Sequence, residues 1–254
     1  MNHTKAEGRQ SIEQIMRTLK LGGLAKEWRG VTYKDNEQYM RDLLDIEVRE
    51  REANRMARMV KQANFRVIKT LDKFVWKPTI EIPATITREE IETASFLKNK
   101  ENLLLMGVSG TGKTHLAAAL AMSLCEKGRH VRFYTATGLA NILQEKHQRG
   151  ALSGFMTSLR RVELLVLDEI GFITLHKEAG ELLFQVISDC YEQKSLIVTS
   201  NVEFSQWNTV FGNDKLTAAM IDRLIHHSHI LVFSGPSHRL EESVQRQRKG
   251  REGK

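Results

Sequence analysis

Cysteine and proline are scarce in this chain, and each scarcity excludes something. Two cysteines, Cys125 and Cys190, in 254 residues cannot build the disulfide framework of a small secreted domain. Both fall in helix-forming segments without metal-ligand spacing, so they are expected as buried free thiols. Three prolines are too few for a low-complexity tract. No apolar run approaches the ~20 residues that span a bilayer, which excludes a membrane partner. The segment from Met1 to Glu13 is polar and has no apolar core of a secretion signal, so the cytoplasm is the expected compartment. No internal repeat is evident. The length leaves room for one α/β core and a smaller appendage.

Negative charge is also in deficit. Lys and Arg number 38 against 31 Asp and Glu, a net +7, which points to a polyanionic partner. Two of the prolines sit in Lys77-Pro78-Thr79-Ile80-Glu81-Ile82-Pro83, where helix cannot continue. This stretch reads as a linker (77–90) between a helical N-terminal domain (1–76) and a larger domain (91–240) with a basic tail (241–254). In the N-terminal domain Ile12, Ile15, Met16 and Leu19 recur at helical spacing, Ser11 is placed to cap them, and Gly22-Gly23 is expected to break the helix. A longer helix is expected from about Glu37 to about Phe65, with Met40, Leu43, Leu44, Met56, Met59, Val60 and Ala63 as its apolar positions. Arg51, Arg55 and Arg58 share one face of it. They form either a solvated face partnered by Glu47, Glu50 and Glu52 or a row that meets DNA phosphates. Arg66, Lys69, Lys73 and Lys77 continue the positive trend with only Asp72 against them, which favours DNA.

Beyond the linker, apolar strands alternate with helical segments. Strands are expected at Leu103–Gly107, His130–Ala136, Glu163–Glu169, Ser195–Asn201 and His229–Ser234. This is the pattern of an α/β domain with a parallel five-stranded sheet covered on both faces. The first strand leads into Gly107-Val108-Ser109-Gly110-Thr111-Gly112-Lys113-Thr114, a full match to the phosphate-loop pattern G-x-x-x-x-G-K-[S/T]. Glycines there let backbone N–H groups crowd a triphosphate, Lys113 reaches its outer phosphates, and Thr114 offers a hydroxyl to Mg²⁺. The helical run from His115 to Lys127 puts the phosphates at a helix N-terminus.

Three further strings carry chemistry. Leu164-Leu165-Val166-Leu167-Asp168-Glu169 delivers two carboxylates to the C-terminal edge of a parallel sheet, where ligands bind. Asp168 is placed to hold Mg²⁺ and Glu169 to polarise an attacking water. Ile197-Val198-Thr199-Ser200-Asn201 brings Asn201 to the same edge. Arg223, in Ala219-Met220-Ile221-Asp222-Arg223-Leu224, is a permanent cation in a mostly apolar helix and needs an anion. Adjacent Asp222 points elsewhere on the helix, so a neighbouring subunit's γ-phosphate or a surface carboxylate is the candidate. His226, His227 and His229 lack an acidic residue at ligand spacing in the sequence and read as structural, packed beside Arg223.

These motifs, in this order, resemble AAA+ ATPases of the DnaA/DnaC clade. They resemble most closely the IstB-like ATP-binding transposition helpers of insertion sequences that also encode the IstA transposase. Asp168-Glu169-Ile170-Gly171-Phe172, Thr199-Ser200-Asn201, Phe204-Ser205-Gln206-Trp207 and Ile225-His226-His227-Ser228-His229 carry the closer likeness. The resemblance implies an AAA+ domain over 91–240 and ATP with Mg²⁺ as cofactors. Gly107, Ser109, Gly110, Thr111, Gly112, Lys113, Thr114 and His115 would line the nucleotide, with Thr114 and Asp168 toward the metal. Glu169 would be the Walker B base, Asn201 the first sensor, and Arg223 an arginine finger acting in trans. Relatives often read Gly-x-Ser-Tyr-Arg where this chain has Gly235-Pro236-Ser237-His238-Arg239, so Arg239 aligns with a second-sensor arginine. The region carrying Lys146, Arg149, Arg160 and Arg161 corresponds to a DNA-facing surface, with a solvated helix face as the alternative for each. The implied function is ATP-dependent assembly on duplex DNA, remodelling of that DNA and recruitment of an IstA-like transposase. A replicative helicase loader is the alternative within the clade.

Overall fold

The structure, a computed structural model, describes residues 10–171 and 173–238. Phe172 and Arg239, both named above, and the tail 241–254 lie outside the described residues. The chain divides into two compact units, one through Arg58 and one from Met59.

The first unit is helical, with α1 (Ile12–Thr18), α2 (Gly22–Glu27) and most of α3 (Asn36–Ala63). Ser11 caps α1 in a reciprocal capping box with Gln14, which satisfies two orphan donors. Ile12, Ile15 and Leu19 nevertheless stay exposed, as do Met40, Leu44 and Met56 on α3. Met59 and Ala63, at the end of α3, are buried, so helical spacing located these helices but marked a buried face only there. Gly22-Gly23 opens α2 instead of breaking a helix. The cause is Glu47, a buried carboxylate on α3 that accepts the N–H groups of Gly23 at 3.0 Å and Leu24 at 3.2 Å. A carboxylate at a helix N-terminus satisfies free donors and opposes the helix dipole. A side chain at residue 23 would sit 2.5 Å from Glu50 Cβ, so only glycine lets α2 lie this close.

The second unit is built on a six-stranded sheet in the order β1-β6-β2-β5-β4-β3. The strands are β1 (Ile80–Glu81), β2 (Asn102–Gly107), β3 (Val131–Thr135), β4 (Leu164–Ile170), β5 (Ser195–Ser200) and β6 (Ser228–Phe233). Each strand expected from the apolar runs forms, its ends within one residue of expectation. The sixth, β1, was not expected: two residues of the proline-bounded segment pair antiparallel with β6, while β2 to β6 run parallel. The helices are α4 (Arg88–Thr93), α5 (Lys113–Glu126), α6 (Ala136–Gln148), α7 (Leu152–Arg160), α8 (Lys177–Cys190), α9 (Trp207–Phe211) and α10 (Asp214–Ile225). Successive side chains of a strand point to opposite faces, so Leu103 and Leu105 pack with α5 while Leu104 packs with α6 and α8. Phe65, Leu71, Phe74 and Trp76 pack against the α5 side. Cys125 and Cys190 are buried free thiols, which burial pushes up to about 11 and about 12.

Burial pushes the Glu47 carboxyl up, but the Arg51 guanidinium and the Leu24 and Gly23 N–H groups outweigh it and hold the group below its usual range. Its contribution is thus complete above an ordinary carboxylate pKa of about 4.3 and fades as pH falls through the lowered folded-state value. Glu47→Ala should destabilise the first unit by about 1–3 kcal/mol at neutral pH. Urea denaturation followed by Trp28 fluorescence checks this, and the difference from the native chain should shrink in acid.

Candidate functional site

The phosphate loop is shaped by backbone that other residues resist. Gly107, Gly110 and Gly112 take φ of +132°, +82° and +108°, the left-handed side that glycine alone enters freely. At Gly107 there is a second reason: a Cβ would lie 2.2 Å from the Phe233 carbonyl oxygen on β6. The loop ends at the N-terminus of α5, whose first residue is Lys113. Lys113 is buried, and its Nζ donates to the carbonyls of Gly107 at 2.6 Å and Val108 at 2.7 Å. Thr111 Oγ1 donates to Val108 O, and the Gly110 carbonyl accepts the His238 N–H at 2.9 Å. Ser109 is exposed. His115 stands beside the loop, its Nε2 at 3.4 Å from the Thr70 carbonyl and its ring against Phe74. Burial, the largest influence, lowers its pKa.

Thr114 and Asp168 meet. The Thr114 hydroxyl donates to Asp168 Oδ1 at 2.9 Å, and Asp168 is almost fully buried. A carboxylate and a hydroxyl at this separation are hard oxygen donors of the kind Mg²⁺ takes, beside a loop that fits phosphate. The residues present therefore suit a magnesium nucleotide.

A register shift sets the two carboxylates apart. Leu167 pairs with Val198 and Ile170 with Ser200, so Asp168 and Glu169 on β4 face only Thr199 on β5. This is a β-bulge, which re-aims side chains. Glu169 takes a left-handed φ of +61°, at a cost of ~1–3 kcal/mol. The buried run Leu164 to Leu167, at ~1.5–3 kcal/mol for each large apolar side chain, exceeds that cost several times over. Thr199, missed by the sequence reading although it lies in a quoted motif, bridges the bulge. Its hydroxyl donates to Asp168 Oδ1 at 2.6 Å and accepts the Glu169 N–H at 2.9 Å. Arg66 Nη1 lies 4.0 Å from Glu169 Oε2, both side chains largely exposed. Such a pair contributes at most ~1 kcal/mol, so the Thr199 bridge, not Arg66, sets the backbone there. The one available signal for Thr199 was a hydroxyl directly after the apolar run Leu196–Val198, in the strand next to the acidic one.

Asn201 is exposed, one residue past β5. Arg223 is half-buried on α10. It donates to the Ala219 carbonyl at 2.9 Å and lies over the Phe184 ring at 4.9 Å, with no carboxylate partner among the described residues. His229 is buried between Thr85 and Glu101, a packing role. Arg51 is bound to Glu47 at 2.8 Å and to the Lys20 carbonyl, while Arg55 and Arg58 are exposed. Arg149 pairs with Glu145 and Arg160 with Asp189, each at 2.9 Å. Arg161 is exposed and Lys146 half-buried.

Known proteins share this architecture. DnaA from Aquifex aeolicus with bound AMPPCP superposes with a TM-score of 0.54 at 22% identity, over 71% of this chain and 55% of that one. The DnaC helicase loader gives 0.51 at 22% identity, over 65% of this chain and 96% of that one. These likenesses show an AAA+ fold. In sequence, the protein named as the ATP-binding protein of insertion sequence IS5376, from Geobacillus stearothermophilus, is 32% identical over 92% of this chain and 95% of its own length. Its counterpart in insertion sequence IS21 of Pseudomonas aeruginosa is 36% identical over 74% and 70%. The profile of the family described as IstB-like ATP binding protein matches residues 15–246. Phosphate loop, buried Asp168 and AAA+ sheet thus converge with the relatives on one assignment: the chain belongs to the IstB-like ATP-binding proteins of insertion sequences.

Proposed function

We propose that this chain is an ATP-dependent, DNA-binding regulator of transposition that hydrolyses ATP between subunits. The observation that carries the reading is the meeting of Thr114 and Asp168 at 2.9 Å beside the phosphate loop, with Glu169 turned out of the strand next to them. Lys113 and the loop N–H groups hold the triphosphate, and His115 borders it. Thr114 and Asp168 would hold Mg²⁺, which would neutralise charge on the phosphate oxygens. Glu169 accepts a proton from water as its oxygen bonds to the γ-phosphorus. The bond from phosphorus to the β,γ-bridging oxygen breaks, leaving ADP and phosphate. Asn201 orients that water.

Arg223 acts on a neighbouring copy. Its carbonyl and aromatic contacts hold the guanidinium without neutralising it, which suits a cation kept for another subunit's γ-phosphate. Nucleotide state then controls assembly of identical subunits on duplex DNA, in the cytoplasm. Arg51, Arg55 and Arg58 on the N-terminal helix, with Lys146, Arg149, Arg160 and Arg161, supply phosphate contacts, for which Arg51, Arg149 and Arg160 leave the carboxylates they now pair with. The assembly remodels the DNA and recruits an IstA-like transposase. The insertion-sequence relatives support this over helicase loading, because the DnaC likeness is one of fold. Binding to duplex and single-stranded DNA in ATP separates the two: preference for single strands and failure to bind duplex would favour a loader.

Arg223→Ala should lower DNA-stimulated ATP turnover by about 10³–10⁵ and leave nucleotide affinity of the monomer intact. Wild-type turnover in this variant would refute the trans site. Thr199→Val keeps the side chain's volume and removes both hydrogen bonds at the bulge. Turnover should fall on the order of 10²-fold, the cost of misplacing a catalytic group by about 1 Å, with little change in ATP affinity, and Thr199→Ser should restore most of it. Steady-state kinetics with a fluorescent-nucleotide titration reads both quantities.

A further inference from the structure

His226 and His227, which the mechanism leaves unused, have a carboxylate neighbour that the sequence places far away. They follow α10, while Tyr191 and Glu192 follow α8. Ligand atoms of Glu192, His226 and His227 all lie within 4.8 Å of one another. His227 Nε2 is 3.5 Å from Glu192 Oε1, and the two imidazole centroids are 4.1 Å apart. The absence of an acidic residue at ligand spacing therefore holds along the chain and fails in space.

The donor set is selective. Two imidazoles and one carboxylate suit zinc and its neighbours, whereas Mg²⁺ prefers oxygen throughout. Tyr191 adds a second, independent feature: its Oη lies 2.7 Å from His226 Nδ1. A partner on one ring nitrogen fixes the tautomer and frees the other nitrogen for an ion, as is usual around metal-bound histidine. Glu192 also takes a left-handed φ of +54°, a strain of ~1–3 kcal/mol.

We propose that Glu192, His226 and His227 form a three-ligand site for a divalent transition-metal ion of the zinc type, with Tyr191 orienting His226. Remaining positions on the ion face solvent and take water. The bound ion ties the turn after α8 to the end of α10, one helical turn beyond Arg223. The inference does not depend on the proposed function.

Equilibrium dialysis of the full chain against Zn²⁺, with millimolar Mg²⁺ present and metal measured by plasma emission, tests it. One equivalent of zinc should be retained. Glu192→Gln and His227→Gln should each abolish that retention, and Tyr191→Phe should weaken it about 10–100-fold. His147→Gln, which alters the exposed His147–Glu178 pair, should leave it unchanged. Circular dichroism reports that the variants, at exposed positions apart from half-buried Tyr191, remain folded. No retained zinc in the native chain, equal retention in the Glu192 and His227 variants, or loss on changing His147 would each overturn the site.

Discussion

One hydroxyl governs the edge of the sheet beside the phosphate loop. Thr199 faces two residues of β4 where the regular ladder allots one, and it satisfies both, donating to Asp168 and accepting from the Glu169 backbone. Without it, a buried carboxylate would lose a donor, worth ~1–3 kcal/mol, and a part-buried N–H its acceptor. The apolar strands on either side supply the stability that keeps Glu169 in its left-handed conformation. Asp168 can then stay inward against Thr114 while its neighbour turns outward. Two adjacent carboxylates have different surroundings because the strand carries one residue too many.

The parallel sheet was legible because a strand buried on both faces is apolar along most of its length, as β2, β4 and β5 are, while β3 and β6 show the alternation of half-buried strands. Its edge was not. β1 is two residues long and antiparallel, and its pairing with β6 is set 153 positions later in the chain, Ile80 opposite Phe233. Local composition around Pro78 and Pro83 carries no trace of that partner. The start of α2 failed for the same reason. Gly22-Gly23 breaks helices when judged locally, yet Glu47, 24 residues on from Gly23, provides the acceptor that begins one.

The same division runs through the site. Lys113, Thr114 and Asp168 were legible because their chemistry is written into short strings with fixed spacing. Thr199 was overlooked because its role follows from a register shift, a property of two strands and not of either sequence. The set of Glu192 with His226 and His227 depends on a turn and a helix end meeting, which no spacing rule encodes. Arg223 was legible as a cation in apolar surroundings; its contacts with Ala219 and Phe184 were not.

The close approach of Gly107 to β6 links the nucleotide cradle to the helix that precedes that strand. With no Cβ between them, the Gly107 backbone abuts the Phe233 carbonyl, and protein interiors yield little under load. β6 begins three residues after α10 ends. A push or pull on the Arg223 helix is therefore delivered to the phosphate loop as a rigid displacement, backbone against backbone. The loop is sprung from β6 as much as from its own strand.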